Sequence, residues 1–156
     1  MQGTKDAFIT ELLSKPPELI ASVWSTDRIP FLFRDDKEHY ATWRHQFAKG
    51  LGVDPSSLIV TGSSACGVSL NPNKNYRFFD VESDVDVTVI SDYHFTNAWR
   101  ALRNLGVGIH KLQPAAKQSV KDHVNRYIYW GTFATERILH ILPFAKEHQK
   151  GSKRGR

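Results

Sequence analysis

The sequence predicts a fold of mixed helix and strand, in the α+β class, and three observations predict it. An apolar run, Leu58-Ile59-Val60, stops at Gly62-Ser63, and a second run from Asp84 to Ile90 alternates polar with apolar residues; both read as strands. Tyr40, Trp43, Phe47 and Leu51 recur at helical spacing ahead of the first strand, and Phe95, Ala98, Trp99, Leu102 and Leu105 do so behind the second. The 156 residues, 40% hydrophobic and 24% charged, suit one domain with a substantial core.

Taken in order, residues 5–14 place Phe8, Ile9, Leu12 and Leu13 on one helical face behind Thr4 as a cap, and Pro16-Pro17 ends that run. Pro17 suits the first position of a second helix with Ile20, Val23 and Trp24 as its stripe, broken at Ser25-Thr26-Asp27; Ile29 to Phe33 is an apolar connector. Asp35 and Glu38 resemble a capping box for the aromatic helix, which Gly50 and Gly52 end. Its stripe reads as core rather than as a platform for stacking bases. Asp54-Pro55-Ser56 turns the chain into the first strand, and Leu70 to Ser83, rich in Asn and Pro, is a loop.

Ser91 or Asp92 caps the next helix, which ends at Gly106 and is expected to pack on the sheet. Residues 107–113 read as a short strand, and Pro114 begins a helix through Val120 and Val124. Tyr127 to Phe133 has strand composition, with a continuing buried helix as the alternative. Ala134 to Leu142 is a helix stopped by Pro143. The expected organisation is a single domain over 1–145, with helices in 1–52 and the sheet core in 53–145, followed by a basic flexible tail, 146–156.

No apolar run approaches the roughly 18 to 20 residues that span a bilayer, and the first residues lack a signal-peptide core, so a cytoplasmic protein with no membrane partner is expected. The single cysteine, Cys66, excludes an intramolecular disulfide and reads as a packed residue. Of the net charge of +5, residues 146–156 carry +4. The body is nearly neutral, which weakens a nucleic-acid reading based on charge alone. The seven histidines show no ligand-like pairing.

Chemistry concentrates in Ser57 to Ser91. In a strand, Asp84 and Asp86 project to one face with attachment points about 6.6 Å apart. Two like charges so placed invite a divalent cation, and Mg²⁺ (or Mn²⁺) is held by one or two carboxylates plus phosphate oxygens. Glycine lets the backbone approach a ligand closely, so Gly62, Ser63 and Ser64 are candidates for gripping phosphate. Lys74 and Arg77, in the loop, suit phosphate oxygens as well. Asp80 and Glu82 precede Asp84 at even spacing and share its face if the strand starts early.

This order of strand, Gly62-Ser63, loop and Ser83-Asp84-Val85-Asp86-Val87 resembles the signature of the nucleotidyltransferase fold, the polymerase-β-like superfamily. It covers about 35 residues and is similar to that of small bacterial nucleotidyltransferase-like proteins, including antitoxin-type and defence-associated members. The resemblance implies a small mixed β-sheet flanked by helices, with Gly62 and Ser63 holding a triphosphate and Asp84 and Asp86 as catalytic metal ligands. It implies transfer of a nucleoside monophosphate from a nucleoside triphosphate to a hydroxyl on a protein, an RNA or another nucleotide.

Two departures stand beside it. Twenty residues separate Ser63 from Asp84, longer than the family interval, which implies an inserted loop. The family's third carboxylate, on a later strand, has no counterpart in 107–113 or 127–133; the late acids are Asp92, Asp122, Glu136 and Glu147. A catalytically incomplete domain that binds a nucleotide, a nucleic acid or a protein is therefore the alternative. A missing last strand would leave an open sheet edge, so a homodimer or a partner protein is expected.

Overall fold

A computed structural model describes residues 2–138 and residue 141, in two compact units that divide after Ile90. The expected tail, 146–156, and the end of the last expected helix lie outside the described residues.

The first unit begins with helix α1, Gln2–Ser14, and helix α2, Pro17–Ser22, which Pro17 opens. Thr4 lies inside α1 rather than capping it, an error of the size common at helix ends. Of the expected stripe only Phe8 is fully buried, while Leu12 and Leu13 are exposed. The chain continues from α2 through a π-helical turn, Val23–Asp27, and a 3₁₀ turn, Phe31–Phe33. Trp24 donates its indole N–H to Glu11 at 3.0 Å and packs edge-on against Phe8, tying these turns back to α1.

Helix α3, Lys37–Leu51, is capped one residue later than expected. Asp36 accepts the His39 N–H at 2.9 Å, while Asp35 takes a left-handed backbone, φ 67°. Gly52 closes the helix in the left-handed region that Gly tolerates. Tyr40 and Trp43 pack on the core, whereas Phe47 stacks on Trp43 at 5.3 Å with its other face exposed.

Asp54 caps a 3₁₀ turn, Pro55–Ser57, that leads into strand β1, Leu58–Thr61, followed directly by the short helix α4, Gly62–Cys66. Strand β2, Asp86–Val89, runs antiparallel to β1 with Leu58 opposite Val89 and Thr61 opposite Asp86. Leu58 and Val60 are buried, and Val60, Ala65 and Cys66 join Phe8, Ile20, Trp24, Phe33 and Val68 in one core. Cys66 is thus the packed residue expected of it, with its thiol pushed up by burial.

In the second unit, Ser91 caps helix α5, Asp92–Asn104, by accepting the His94 N–H at 3.3 Å. A 3₁₀ segment, Gly106–Lys111, leads to helix α6, Pro114–Asp122, and Thr135–Ile138 forms helix α7. Ala98, Leu102, Val120 and Ile138 form the second core, with Leu105, Ile109, Leu112, Ile128 and Phe133 packed against it.

The structure departs from three expectations. Residues 107–113 are not a strand, because Ile109 and Leu112 reach the second core from a 3₁₀ segment while Val107 stays exposed. Nor is Tyr127 to Phe133 a strand. The helical backbone runs on from α6 through a π turn, His123–Tyr127, and a 3₁₀ turn, Ile128–Trp130, until Gly131 stops it at φ 66°. Burying Val120, His123 and Ile128 against one core outweighs the strand propensity of Tyr-Ile-Tyr-Trp. The sheet among the described residues therefore has two antiparallel strands and no parallel pair, instead of a mixed sheet. The protein is of mixed helix and sheet, as the α+β expectation has it.

His123 fastens the second unit internally. Wholly buried, it donates from Nδ1 to the Ser119 carbonyl at 2.7 Å and accepts the Ala134 N–H at Nε2 at 3.2 Å, which places its proton on Nδ1. Among the described residues no helix is long and apolar enough to cross a membrane.

Candidate functional site

The register of the two strands creates the site. Because Thr61 faces Asp86, the turn that follows β1 lies beside the start of β2. Gly62 sits at φ 65°, and a Cβ added to it would overlap the Asp86 carboxylate oxygen Oδ2. The position therefore needs glycine twice, for its backbone and for the carboxylate packed on its Cα. Ser63 lines the pocket beside it, but Ser64 does not: fully buried, it donates its hydroxyl to the Thr61 carbonyl at 2.8 Å and fixes the turn.

The loop that carries the cations is built, not slack. An antiparallel bridge joins Val68 and Phe78, flanked by Ser69 N–H to Arg77 carbonyl at 2.8 Å and Phe79 N–H to Gly67 carbonyl at 3.0 Å. Within that closure Asn71 holds the 3₁₀ turn Pro72–Lys74, accepting the Asn73 N–H on its side chain and the Lys74 N–H on its carbonyl. Asn75 and Tyr76 then take left-handed backbones that reverse the chain. Lys74 and Arg77 both reach the pocket in this way.

A second turn prepares the carboxylates. Asp80 accepts the Ser83 hydroxyl at 2.9 Å and the Glu82 N–H at 3.0 Å, and Ser83 Oγ in turn accepts the Asp80 N–H at 3.1 Å. The Ser83 hydrogen bond above all, helped by the Glu82 N–H and the Arg77 charge, holds the Asp80 carboxyl below its ordinary value. Asp80 is thus committed to the turn. The Asp84 and Asp86 carboxylates emerge from it without hydrogen-bond or ion-pair partners among the described residues.

The result is a polar cavity of about 150 Å³ lined by Ser63, Ser69, Lys74, Arg77, Glu82, Ser83, Asp84 and Asp86. Five of the seven residues singled out from the sequence line it; Gly62 supports it from behind the Asp86 carboxylate, and Ser64 is spent on the turn. Ser69, Glu82 and Ser83 are additions. The even spacing of Glu82 with the two aspartates is a sequence signal for the second; the two serines have none.

The carboxylate pair and the Ser63 hydroxyl form a hard-oxygen donor set, which fits Mg²⁺ or Mn²⁺ provided phosphate and water complete the shell. Among the described residues no three His, Cys, Asp or Glu side chains are gathered closely enough to hold a metal by themselves. A later-strand carboxylate has no seat there either. Asp122 accepts a hydrogen bond from Gln118 at 2.7 Å on α6, and Glu136 lies in the first turn of α7.

Across the 80–86 segment lies a larger cavity, about 790 Å³, whose walls include Trp24, Phe31, Leu32, Phe79 and Val85 with Arg28 and Arg34. Ser83 belongs to both cavities. No protein-family model, curated protein or solved structure matches the chain.

Proposed function

We propose that the Asp84/Asp86 cavity is the active site of a metal-dependent nucleotidyltransferase that moves a nucleoside monophosphate from a nucleoside triphosphate to a hydroxyl. The observation that carries this reading is the pair of unpartnered carboxylates in a cavity that also holds Ser63, Lys74 and Arg77. Such a pair is suited to a divalent ion, and the two cations beside it to phosphate oxygens.

In this reading Asp84 and Asp86 would hold Mg²⁺, which when bound lowers the pKa of the attacking hydroxyl and offsets charge on the leaving pyrophosphate. The Ser63 hydroxyl donates to a phosphate oxygen. Lys74 and Arg77 hold the β- and γ-phosphates, so that charge building on the leaving group meets fixed donors. The acceptor oxygen bonds to the α-phosphorus, the bond to pyrophosphate breaks, and the acceptor's proton passes to water. The larger cavity, which shares Ser83 with the first and is walled by Phe31 and Phe79, has the volume and aromatic character to receive the base.

A second reading is a catalytically incomplete module that binds a nucleotide, a nucleic acid or a protein. It is favoured by the absence of a later-strand carboxylate among the described residues. Calorimetric titration of each nucleoside triphosphate with Mg²⁺, Mn²⁺ or no metal, on the natural chain and on Asp84→Ala/Asp86→Ala, tests both. Binding that needs metal and both carboxylates, followed by pyrophosphate release with an acceptor, is the result expected of the enzyme. Metal-dependent binding without turnover selects the module, and no triphosphate binding under any condition refutes both nucleotide readings.

A further inference from the structure

The charge of this protein is divided along the boundary between its two units. Residues 2–90 carry a net −3, whereas 91–138 carry seven lysines and arginines against three acids. All seven cations are exposed, and none is ion-paired among the described residues. Solvated cations alone are ordinary, but here they accompany exposed aromatic rings.

The helical run from Pro114 to Trp130 brings the two together. Its apolar side is spent: Val120 and Ile128 pack into the second core with His123. Lys117, Lys121 and Arg126 are exposed along it, and it ends in Tyr129 and Trp130, which are 80% and 73% exposed with rings 5.1 Å apart. From Lys117 to Arg126 the run rises about 13 Å, roughly four nucleotides at duplex spacing.

We propose that this surface binds single-stranded nucleic acid, with phosphates along Lys117, Lys121 and Arg126 and unpaired bases stacked on Tyr129 and Trp130. Cations without counter-ions match a polyanion, and rings with open faces match bases that are not already stacked in a duplex. An anionic lipid surface fits less well. An interfacial helix needs an apolar face to bury, and Val124 is the one large aliphatic residue exposed on this run. Its residues belong to the second unit and Asp84 and Asp86 to the first, and the proposal does not depend on the chemistry of that pair.

The test uses the full chain with fluorescein-labelled 20-mers of oligo-U, oligo-dT and a duplex, read by anisotropy at 50 and 200 mM salt. Three neutralised phosphates predict a salt slope of about −2, so affinity falls roughly twentyfold across that interval. Tyr129→Ala or Trp130→Ala weakens single-strand binding by about five- to a hundredfold, an effect that basic residues elsewhere in the chain cannot mimic. Lys117→Glu/Lys121→Glu, at exposed positions, weakens it as well and flattens the salt slope. Asp84→Ala/Asp86→Ala leaves it unchanged, so failure of the catalytic reading remains distinguishable. The proposal is overturned if neither 20-mer binds, if both aromatic variants bind as well as the natural chain, if the duplex is preferred, or if only phosphatidylserine vesicles bind.

Discussion

Replacing Gly62 with alanine tests the geometry on which the candidate site rests. An L-residue at φ 65° costs about 1–2 kcal/mol relative to glycine. For a chain of this length that lowers the melting temperature by about 2–8 °C. The new methyl also lands on Asp86 Oδ2, so the carboxylate must move by about a bond length before the methyl fits. Since Mg²⁺ demands oxygen ligands near 2.1 Å, and a 1 Å misplacement can cost about a hundredfold, metal-dependent nucleotide binding or turnover should fall by about that factor. The two effects separate in a double-mutant cycle. In an Asp86→Ala background the overlap vanishes, and Gly62→Ala should retain only its backbone cost. Equal destabilisation by Gly62→Ala in both backgrounds, measured by urea or thermal unfolding, would refute the close approach of the carboxylate to the glycine.

Two further outcomes follow from the turn and the second core. Ser83→Ala removes the main donor to Asp80, so the Asp80 carboxyl should titrate at higher pH than in the natural chain, as read by carbon-13 NMR. The sign is that of a depressed acid: its stabilisation is present above the ordinary carboxylate range and is lost as pH falls through the folded-state value. Ser83→Ala should therefore make the acid limb of stability shallower, and an unmoved Asp80 midpoint would count against the turn. His123→Ala strands the partly buried Ala134 N–H and empties the ring's volume, while the Ser119 carbonyl keeps the His123 backbone N–H. A loss of about 2–4 kcal/mol is expected, and an unchanged denaturant midpoint would refute the role given to the imidazole.

What the sequence made legible was what local rules control. Strand alternation put Asp84 and Asp86 on one side, and both line the cavity, although β2 proper begins only at Asp86. The glycine turn and the starts of α2, α5 and α6 were readable from Pro17, Ser91 and Pro114. Failures came where a side chain's own hydrogen bonds or packing, and not its type and spacing, decided the matter. Ser63 and Ser64 are equivalent in the sequence, yet only the second turns inward to the Thr61 carbonyl. Asp80, Glu82 and Asp84 share one spacing, but the Ser83 hydroxyl removes Asp80 from the set. The strand-like composition of Tyr127 to Phe133 yielded to a helix already anchored through Val120 and His123.

The closure of the 69–77 loop at the Val68–Phe78 bridge has an engineering consequence. Chain leaves and returns at one place, so the two cations ride on an exchangeable cassette while the carboxylates stand on the scaffold. Loops of other lengths grafted between Val68 and Phe78 would leave the β1–β2 register untouched, because longer closures add little entropy cost. Ligand preference could then be reprogrammed without disturbing the pair of aspartates.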